Sequence, residues 1–521
     1  MVERDAGGRR SGGTPSPTRG RVDREERHRV VVIGSGVGGS VTAFRLARAG
    51  VDNLVLERGR RWPITPAGDT FPRWPSPDRR LLWLGRPSSV PLLSRLPWAA
   101  PAAEAVAARL LPRSTGLLDV LPHRRLTVLC GAGVGGGTLV YAGLLPQPRA
   151  EAFHRAFPPE LDYGELDRVH YPRARRRLGG AEFPDDLLTH PRFRSAVLWR
   201  TALVEAGLPV EKAVSAFDFD VVRAELGGRA RAAATIGQYM FTGCDSGAKI
   251  SVDRTYLARA EATGRTEVRP LHEVTGIGQG RDGRYRVAVD HLDVGGAVLE
   301  RVRITCDRLV LAAGGVHTPR LLLTAKATGA LPRLNEFVGE QWGTNADQAQ
   351  LVRVGSMPGD GPHGGPAAFL TREHGGLVTV AHAGVGGLGN RWMLCFGMGV
   401  PDRFGRWTWS DATAEPRLEW GPDGDAGTRR ATTGLLRRVV EHVPTGATLH
   451  DPLGTHPLVL HPLGGAVLGK ATDAQGRLHG YEGLYCLDAA LMPGNTAAVN
   501  PALTIAAVVE RCLDRVIHDF A

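Results

Sequence analysis

Residues 30–59, VVVIGSGVGGSVTAFRLARAGVDNLVLERG, restrict the fold more than any other stretch of the chain. Val30 to Ile33 form an unbroken apolar run of strand length and Gly34-Ser35-Gly36-Val37-Gly38-Gly39 a turn. Val41 to Ala49 read as a helix closed by Gly50, and Leu54 to Leu56 as a second strand ending at Glu57. In a chain with 68 glycines an isolated GxGxxG carries little information. This one follows a strand, opens a helix and has an acid 18 residues past its last glycine. Gly34 permits the tight turn, Gly36 lets backbone approach a pyrophosphate, and Gly39 lets the helix pack closely. The helix start offers unpaired N–H groups and a positive dipole end to phosphates, while Glu57 can accept hydrogen bonds from ribose hydroxyls. The segment predicts a βαβ unit with a dinucleotide site, against the alternative of a βαβ unit that binds nothing.

A second glycine cluster, CGAGVGGGTLVYAG at 130–143, lacks the strand, helix and acid of a nicotinamide-type turn, but its backbone can lie flat against a planar anionic group. TEVRPLHEV at 266–274 predicts a strand pair, and DRLVLAAGGVHTPRLLL at 307–323 another strand that meets a helix start at Ala312-Ala313-Gly314-Gly315. The last piece, GLYCLDAALMPGNTAAVNPALTIAAVVERCLDRV, reads strand, loop, helix. Asn500 takes the N-cap position and Pro501 N1, with Leu503, Ile505, Val509, Cys512 and Val516 on one apolar stripe. Glycine contacts this widely separated imply one long ligand held extended.

With 521 residues, 42% apolar and 22% charged, the chain is globular, and its length favours two or more domains. The net charge of +11 is concentrated: residues 58–125 hold twelve Arg against four acids. That segment also carries Trp62, Trp74, Trp83, Trp98 and the run VPLLSRLPWAAPAAEAVAARLLP. No nucleic-acid motif accompanies it, so no nucleic-acid partner is expected; the composition fits a substrate-access cap or a membrane-surface contact, with a solvated basic loop as the structural alternative. Prolines at 87, 91, 97, 101 and 112 cut residues 81–112 into pieces too short to span a bilayer. Six Cys without CxxC spacing indicate neither zinc nor a disulfide scaffold. Residues 1–27 read as a disordered tail; Arg9-Arg10 are followed by no apolar stretch, so a cytoplasmic location is expected.

PLVLHPLGGAVLGKA at 457–471 sets His461 between an apolar run and two glycines. A lone histidine there is more often a satisfied core residue than a base. Taken with VVVIGSGVGGS, GAGVGGGTLV and DAALMPGNTAAVNPALTIAAVVER, the stretch resembles the glucose-methanol-choline (GMC) oxidoreductases, most of all their bacterial cholesterol oxidase branch with non-covalent FAD. The resemblance spans about residues 28 to 520 and is weak over about 60–120 and 350–450.

The resemblance implies an α/β fold in which a Rossmann-type FAD-binding domain (28–60, 124–145, 230–325 and 455–521) is interleaved with a mixed-sheet α+β substrate-binding domain (146–229 and 326–454). Residues 61–123 would form a lid or cap, with peripheral membrane contact through 81–112. It implies FAD contacts from Gly34, Ser35, Gly36, Gly39, Glu57, Gly133, Gly136, Gly137, Thr138, Val274, Asp488, Ala489, Asn500 and Pro501, and no metal. In the family the His of HPLGG and the Asn of VNP bind the substrate hydroxyl beside the flavin, which matches His461 and Asn500, with His456 as a further candidate partner. Two departures stand out. The family's isomerising Glu falls near TVAHAGVGGLGNRW, where Ala381 or His382 stands instead, so isomerisation would need His382 as a proton relay. Where the family has Asn-Gly after the second glycine cluster, this chain has Tyr141-Ala142. The expected activity is oxidation of a secondary alcohol on a bulky apolar sterol, terpenoid or polyketide by hydride transfer to flavin N5, with oxygen or another electron acceptor and without isomerisation. The alternatives are a flavin-dependent isomerase or lyase of natural-product tailoring, or a non-catalytic flavoprotein.

Overall fold

The computed structural model describes residues 22–84, 113–355 and 362–520, apart from 385, 388, 453 and 455. Residues 1–21 of the expected tail and positions 85–112, with Leu92, Leu93 and Trp98, lie outside the described residues. Residues 24–27, also read as tail, instead pair with residues 302–305 as the first part of a strand, so the expected boundary at 27 falls inside the sheet.

Strand β1 (Arg24–Ile33) leads into helix α1 (Val37–Arg48) and β2 (Asn53–Leu56). The same sheet resumes more than 200 residues later with β3 (Thr266–Arg269), β4 (His272–Gln279), β5 (Tyr285–Leu292) and β6 (Val298–Leu311), before helix α2 (Gly314–Ala327). Its order is β3-β2-β1-β6-β5-β4, and Leu484–Cys486 also pairs with β6. Val31 is paired in parallel with Leu54 on one side and Leu309 on the other. Strands enclosed on both faces in this way read as continuous apolar runs, as Val30–Ile33 does. The strand pair expected at 266–274 does not form: β3 pairs with β2, and β4 with β5 at the opposite edge. Two residues can join these edges because the sheet curls. The Leu271 and His272 N–H groups reach Gly59 O and Glu57 O at 3.0 and 2.8 Å.

A second sheet comprises β7 (Gln348–Val354), β8 (Phe369–Glu373), β9 (Val378–Ala383), β10 (Trp392–Gly399) and β11 (Ala447–His450), with Glu211–Lys212 on its far edge. Helix α3 (Ala426–Glu441) and the helix Arg194–Glu205 cover one face. The other meets the first domain through a small cluster of Leu144, Leu370 and Ala381.

The flanks of the expected cap are built into a five-stranded sheet of Leu82–Leu84, Ser114–Thr115, Leu118–His123, Leu126–Gly131 and Leu458–Val459. Trp62 stacks on Phe71 at 5.7 Å, and Trp83 lies buried with the Arg58 guanidinium 4.9 Å from its ring. Both are core side chains, so neither is available to a membrane surface. Among the described residues no helix is long and apolar enough to cross a membrane.

Helix α4 (Pro501–Val516) starts at the expected Asn500-Pro501 boundary but is buried all round from Ala502 to Leu513, not along a single stripe. A buried carboxylate on such a helix must be paired. Arg45, Arg173, Arg177 and the Tyr256 hydroxyl all converge on Glu510.

Candidate active site

Helix α1 begins at Val37, inside the glycine turn and four residues earlier than the apolar pattern predicts. Gly38 and Gly39 make this possible: a Cβ would stand 1.9 Å from Leu487 O at the first and 1.9 Å from Gly34 O at the second. A Cβ at Gly36 would meet nothing within 4 Å among the described residues, because that side of the turn opens into a cleft of about 1260 Å³. No side chain caps the helix, and its first internal bond runs from Ser40 N–H to Gly36 O. The N–H groups of Val37, Gly38 and Gly39 are left for an anion. The cleft exceeds the roughly 300–1,000 Å³ that a drug-sized ligand fills. Its walls run from this turn to His461 and Asn500.

Glu57 is more committed than the sequence implies. Its Oε2 accepts the Ser35 N–H at 3.1 Å and the Ser35 hydroxyl at 2.7 Å, and Oε1 accepts the Gly59 N–H at 2.9 Å. A carboxylate offers about four lone-pair positions, so one remains for a ribose hydroxyl, and a second hydroxyl would have to displace Ser35 Oγ–H. Ser35 Oγ also accepts the Gly135 N–H at 3.2 Å, tying the two glycine turns together. At Gly136, φ is +55° and a Cβ would lie 2.8 Å from Gly36 Cα, so the turns stand back to back. Gly133 lies against the Trp62 indole. Thr138 holds its turn in shape, donating to Gly135 O at 2.7 Å and accepting the Val252 N–H at 3.1 Å. Gly137, Thr138, Val274, Asp488, Ala489, Asn500 and Pro501 all line the cleft. Asp488 is a strut: its carboxylate accepts the Gly314 N–H and Thr318 hydroxyl, each at 2.6 Å, and the Ala490 N–H at 2.7 Å. Burial raises its pKa.

At the other end, the loop after Leu458–Val459 carries His461. Its Nδ1 lies 2.6 Å from Asp347 Oδ1, while Asp347 Oδ2 accepts the N–H groups of Leu460 and His461 at 2.8 and 2.9 Å. A carboxylate only accepts, so this contact places the imidazole proton on Nδ1 and leaves Nε2 as an acceptor. Nε2 lies 3.4 Å from Asn500 Nδ2, and Asn500 Oδ1 is buried without a partner among the described residues. Asn500 occupies the N-cap position of α4 without capping it. Asn345, two residues before Asp347, holds the preceding loop: its Nδ2 donates to Thr496 Oγ1 at 3.0 Å and to Val499 O at 2.9 Å. Ala497 and Ala498, both at φ 60°, are held left-handed in that loop. One short segment, Asn345 to Asp347, thus positions both His461 and Asn500. Sequence reading missed it, and no local pattern marks it.

His382 does not join this site. On β9 it pairs with Cys395, and its ring centroid lies 5.5 Å from that of Trp199 on the helix-covered face. Side chains alternate along a strand. Ala381 and its partner Phe396, a cleft residue, share the other face. Burial lowers the His382 imidazole to about 3, and neither ring nitrogen has a partner among the described residues. The expected relay role is therefore withdrawn. His456 also stands apart from the cleft, with Nε2 at 3.1 Å from Thr127 Oγ1. Tyr141, in the position of the family's Asn, turns its hydroxyl to Ile250 O at 2.6 Å.

The GMC oxidoreductase family model matches residues 410–508, and that of an NAD(P)-binding Rossmann-like domain matches residues 32–63. A cholesterol oxidase of Mycobacterium tuberculosis is 28% identical, covering 92% of this chain and 90% of its own length. Another, from Acinetobacter baumannii, is 23% identical with 93% of each chain covered. Among solved structures, pyridoxine 4-oxidase from Mesorbium loti shares the fold, with a TM-score of 0.60 at 14% identity over 94% of this chain and 99% of its own. The open glycine turn, the buried acid beside it and the large cleft that runs from them to His461 agree with these relatives: the chain carries a GMC oxidoreductase C-terminal region, resembles cholesterol oxidases over nine-tenths of its length, and is an FAD-dependent oxidoreductase.

Proposed function

We propose that the protein oxidises a secondary hydroxyl on a bulky apolar molecule, a sterol, terpenoid or polyketide, and passes the electrons to oxygen or another acceptor. The observation that carries this reading is the pairing at the end of the cleft: His461, whose Nε2 is an acceptor held only by a long contact, beside Asn500, whose buried Oδ1 has no partner among the described residues. Bound FAD supplies the hydride acceptor. A substrate hydroxyl donates to His461 Nε2, and its oxygen accepts from Asn500 Nδ2, whose present 3.4 Å contact with Nε2 is long and readily exchanged. As the proton moves to Nε2, Asp347 faces the resulting imidazolium through Nδ1–H. The two backbone N–H groups on Oδ2 keep the carboxylate from turning away.

Val140, Leu144, Met240, Phe241, Phe396 and Met398 supply apolar wall to the same cleft. Burying an apolar ligand there gains about 25 cal/mol per Å² removed from water, which favours a large hydrocarbon body. The named cholesterol oxidase relatives support that substrate size. Double-bond isomerisation is not part of the proposal, because β9 carries no carboxylate and its His382 faces away from the cleft. Anaerobic flavin bleaching over a panel of hydroxylated sterols, terpenoids and polyketides tests the substrate class. His461→Ala should slow that bleaching by roughly 10²- to 10⁴-fold, the usual worth of a general base. If the variant lost FAD and stability but kept its rate per bound FAD, His461 would be a core residue and the proposal would fail.

A further inference from the structure

Only four of the 64 basic residues are Lys, and Lys249 alone among them is buried. Its Nζ donates to Leu139 O at 2.8 Å, to Tyr141 O at 3.1 Å and to Tyr239 O, and lies 5.5 Å from the Tyr141 ring centroid. Three carbonyls thus meet the three N–H bonds of one ammonium, an arrangement that a flat guanidinium fork does not reproduce. In a chain that otherwise uses Arg so heavily, the site requires a compact cation.

Two of those carbonyls belong to the wall that follows the second glycine cluster. Between them, Val140 O accepts the Phe241 N–H at 2.9 Å, so three successive carbonyls are each fixed by a donor. A trans peptide is planar with its C=O and N–H opposed. With Tyr141 O drawn to Lys249, the Ala142 N–H must point the other way. Ala142 lines the cleft and Lys249 does not, and the Ala142 N–H has no acceptor among the described residues. This stretch runs from Gly136, packed on Gly36 of the phosphate turn, to Leu144, packed on Leu370 and Ala381 of the substrate sheet. It therefore borders the half of the cleft between the phosphates and His461.

We infer that Lys249 is a positioning residue that turns the Tyr141–Ala142 peptide so that the Ala142 N–H donates toward the flavin, serving where the family's Asn-Gly is replaced. The inference rests on the assignment of the cleft to FAD. A donor fixed there stabilises the electron-rich reduced flavin more than the oxidised form.

The test compares FAD-loaded wild type with Lys249→Met at pH 6, below the value of about 7 to which burial lowers Lys249. Lys249→Met should retain its FAD, yet shift the oxidised-to-reduced equilibrium about tenfold toward the oxidised form, a midpoint potential about 30 mV more negative for a two-electron couple. A lower melting temperature with unchanged potential and visible spectrum would make Lys249 a scaffold residue only and overturn the inference. Should the variant not fold, hydrogen exchange on wild type decides: the Ala142 amide should slow at least about tenfold when FAD binds, and equal exchange with and without FAD would refute the donor. Wild-type protein that takes up no FAD would instead overturn the assignment of the cleft, a separate failure.

Discussion

Asp347→Asn is the most discriminating perturbation of the site, because a near-isosteric change should cost more rate than deletion. In the wild type Oδ2 serves two backbone N–H groups at 2.8 and 2.9 Å, and Oδ1 faces His461 Nδ1 at 2.6 Å. Asparagine has a single oxygen, and the pair of N–H donors will hold it, since an NH₂ in that place would confront both. The NH₂ then faces Nδ1. Donor against donor forces the ring proton from Nδ1 to Nε2, the atom that must be free to accept the hydroxyl proton. Loss of the charged partner alone is worth about 1.5–3 kcal/mol, roughly 10- to 150-fold in rate. Loss of the tautomer brings the expected fall to roughly 10²- to 10⁴-fold, the full worth of a general base. Asp347→Ala leaves two N–H groups unpaired, a stability cost of about 1–3 kcal/mol each, but lets the ring choose its own tautomer. The expected order is therefore inverted between assays: Asp347→Asn melts higher than Asp347→Ala yet reduces its flavin more slowly. Anaerobic stopped-flow absorbance per bound FAD, beside thermal melts, measures both. An Asn variant that reduces flavin as fast as the Ala variant would refute the tautomer argument, and wild-type rates in both would remove Asp347 from the chemistry.

Gly36→Ala should leave the melting temperature of FAD-free protein unchanged, since its Cβ meets nothing within 4 Å, while FAD affinity falls at least about tenfold because the methyl takes room a phosphate needs. Gly38→Ala, with its Cβ 1.9 Å from Leu487 O, should instead destabilise the FAD-free fold by about 1–3 kcal/mol; comparable melts for the two variants would contradict this division of labour. Burial lowers His382 to about 3 and His123, His317 and His363 to about 4, all below the unfolded value of 6.5. The folded state then holds these rings neutral while the unfolded chain protonates, so stability is complete above pH 6.5 and is lost as the pH falls toward 4. His382→Leu removes one such group, and its stability relative to wild type should improve by roughly 2–3 kcal/mol between pH 8 and pH 4.5 in denaturant titrations. An effect independent of pH would show that His382 is not held neutral.

What could be read from the sequence follows the distance over which each residue acts. The first βαβ unit is legible because turn, helix and Glu57 lie within 30 residues and each answers to local sterics or charge. His461 and Asn500 are legible only through family resemblance, since 39 residues separate them and neither neighbourhood names the other. Asp347 escapes both routes: it stands 114 residues before His461, and only the packing of β7 beside the 460 loop brings the two together. His382 fails for a different reason. Its place in the chain is close to the family's Glu, but a strand reverses the direction of its side chains at every residue, so an alignment uncertain by one position decides between the cleft and the helix-covered face. Ala381 and His382 differ by that one position, and the cross-strand pairing of Ala381 with Phe396 puts the alanine, not the histidine, on the cleft side. Trp62 and Trp83 pose a third problem, because composition alone does not separate an aromatic side chain that faces a membrane from one that fills a core. Only Phe71 and Arg58, each brought close by the turn of the chain, distinguish the two.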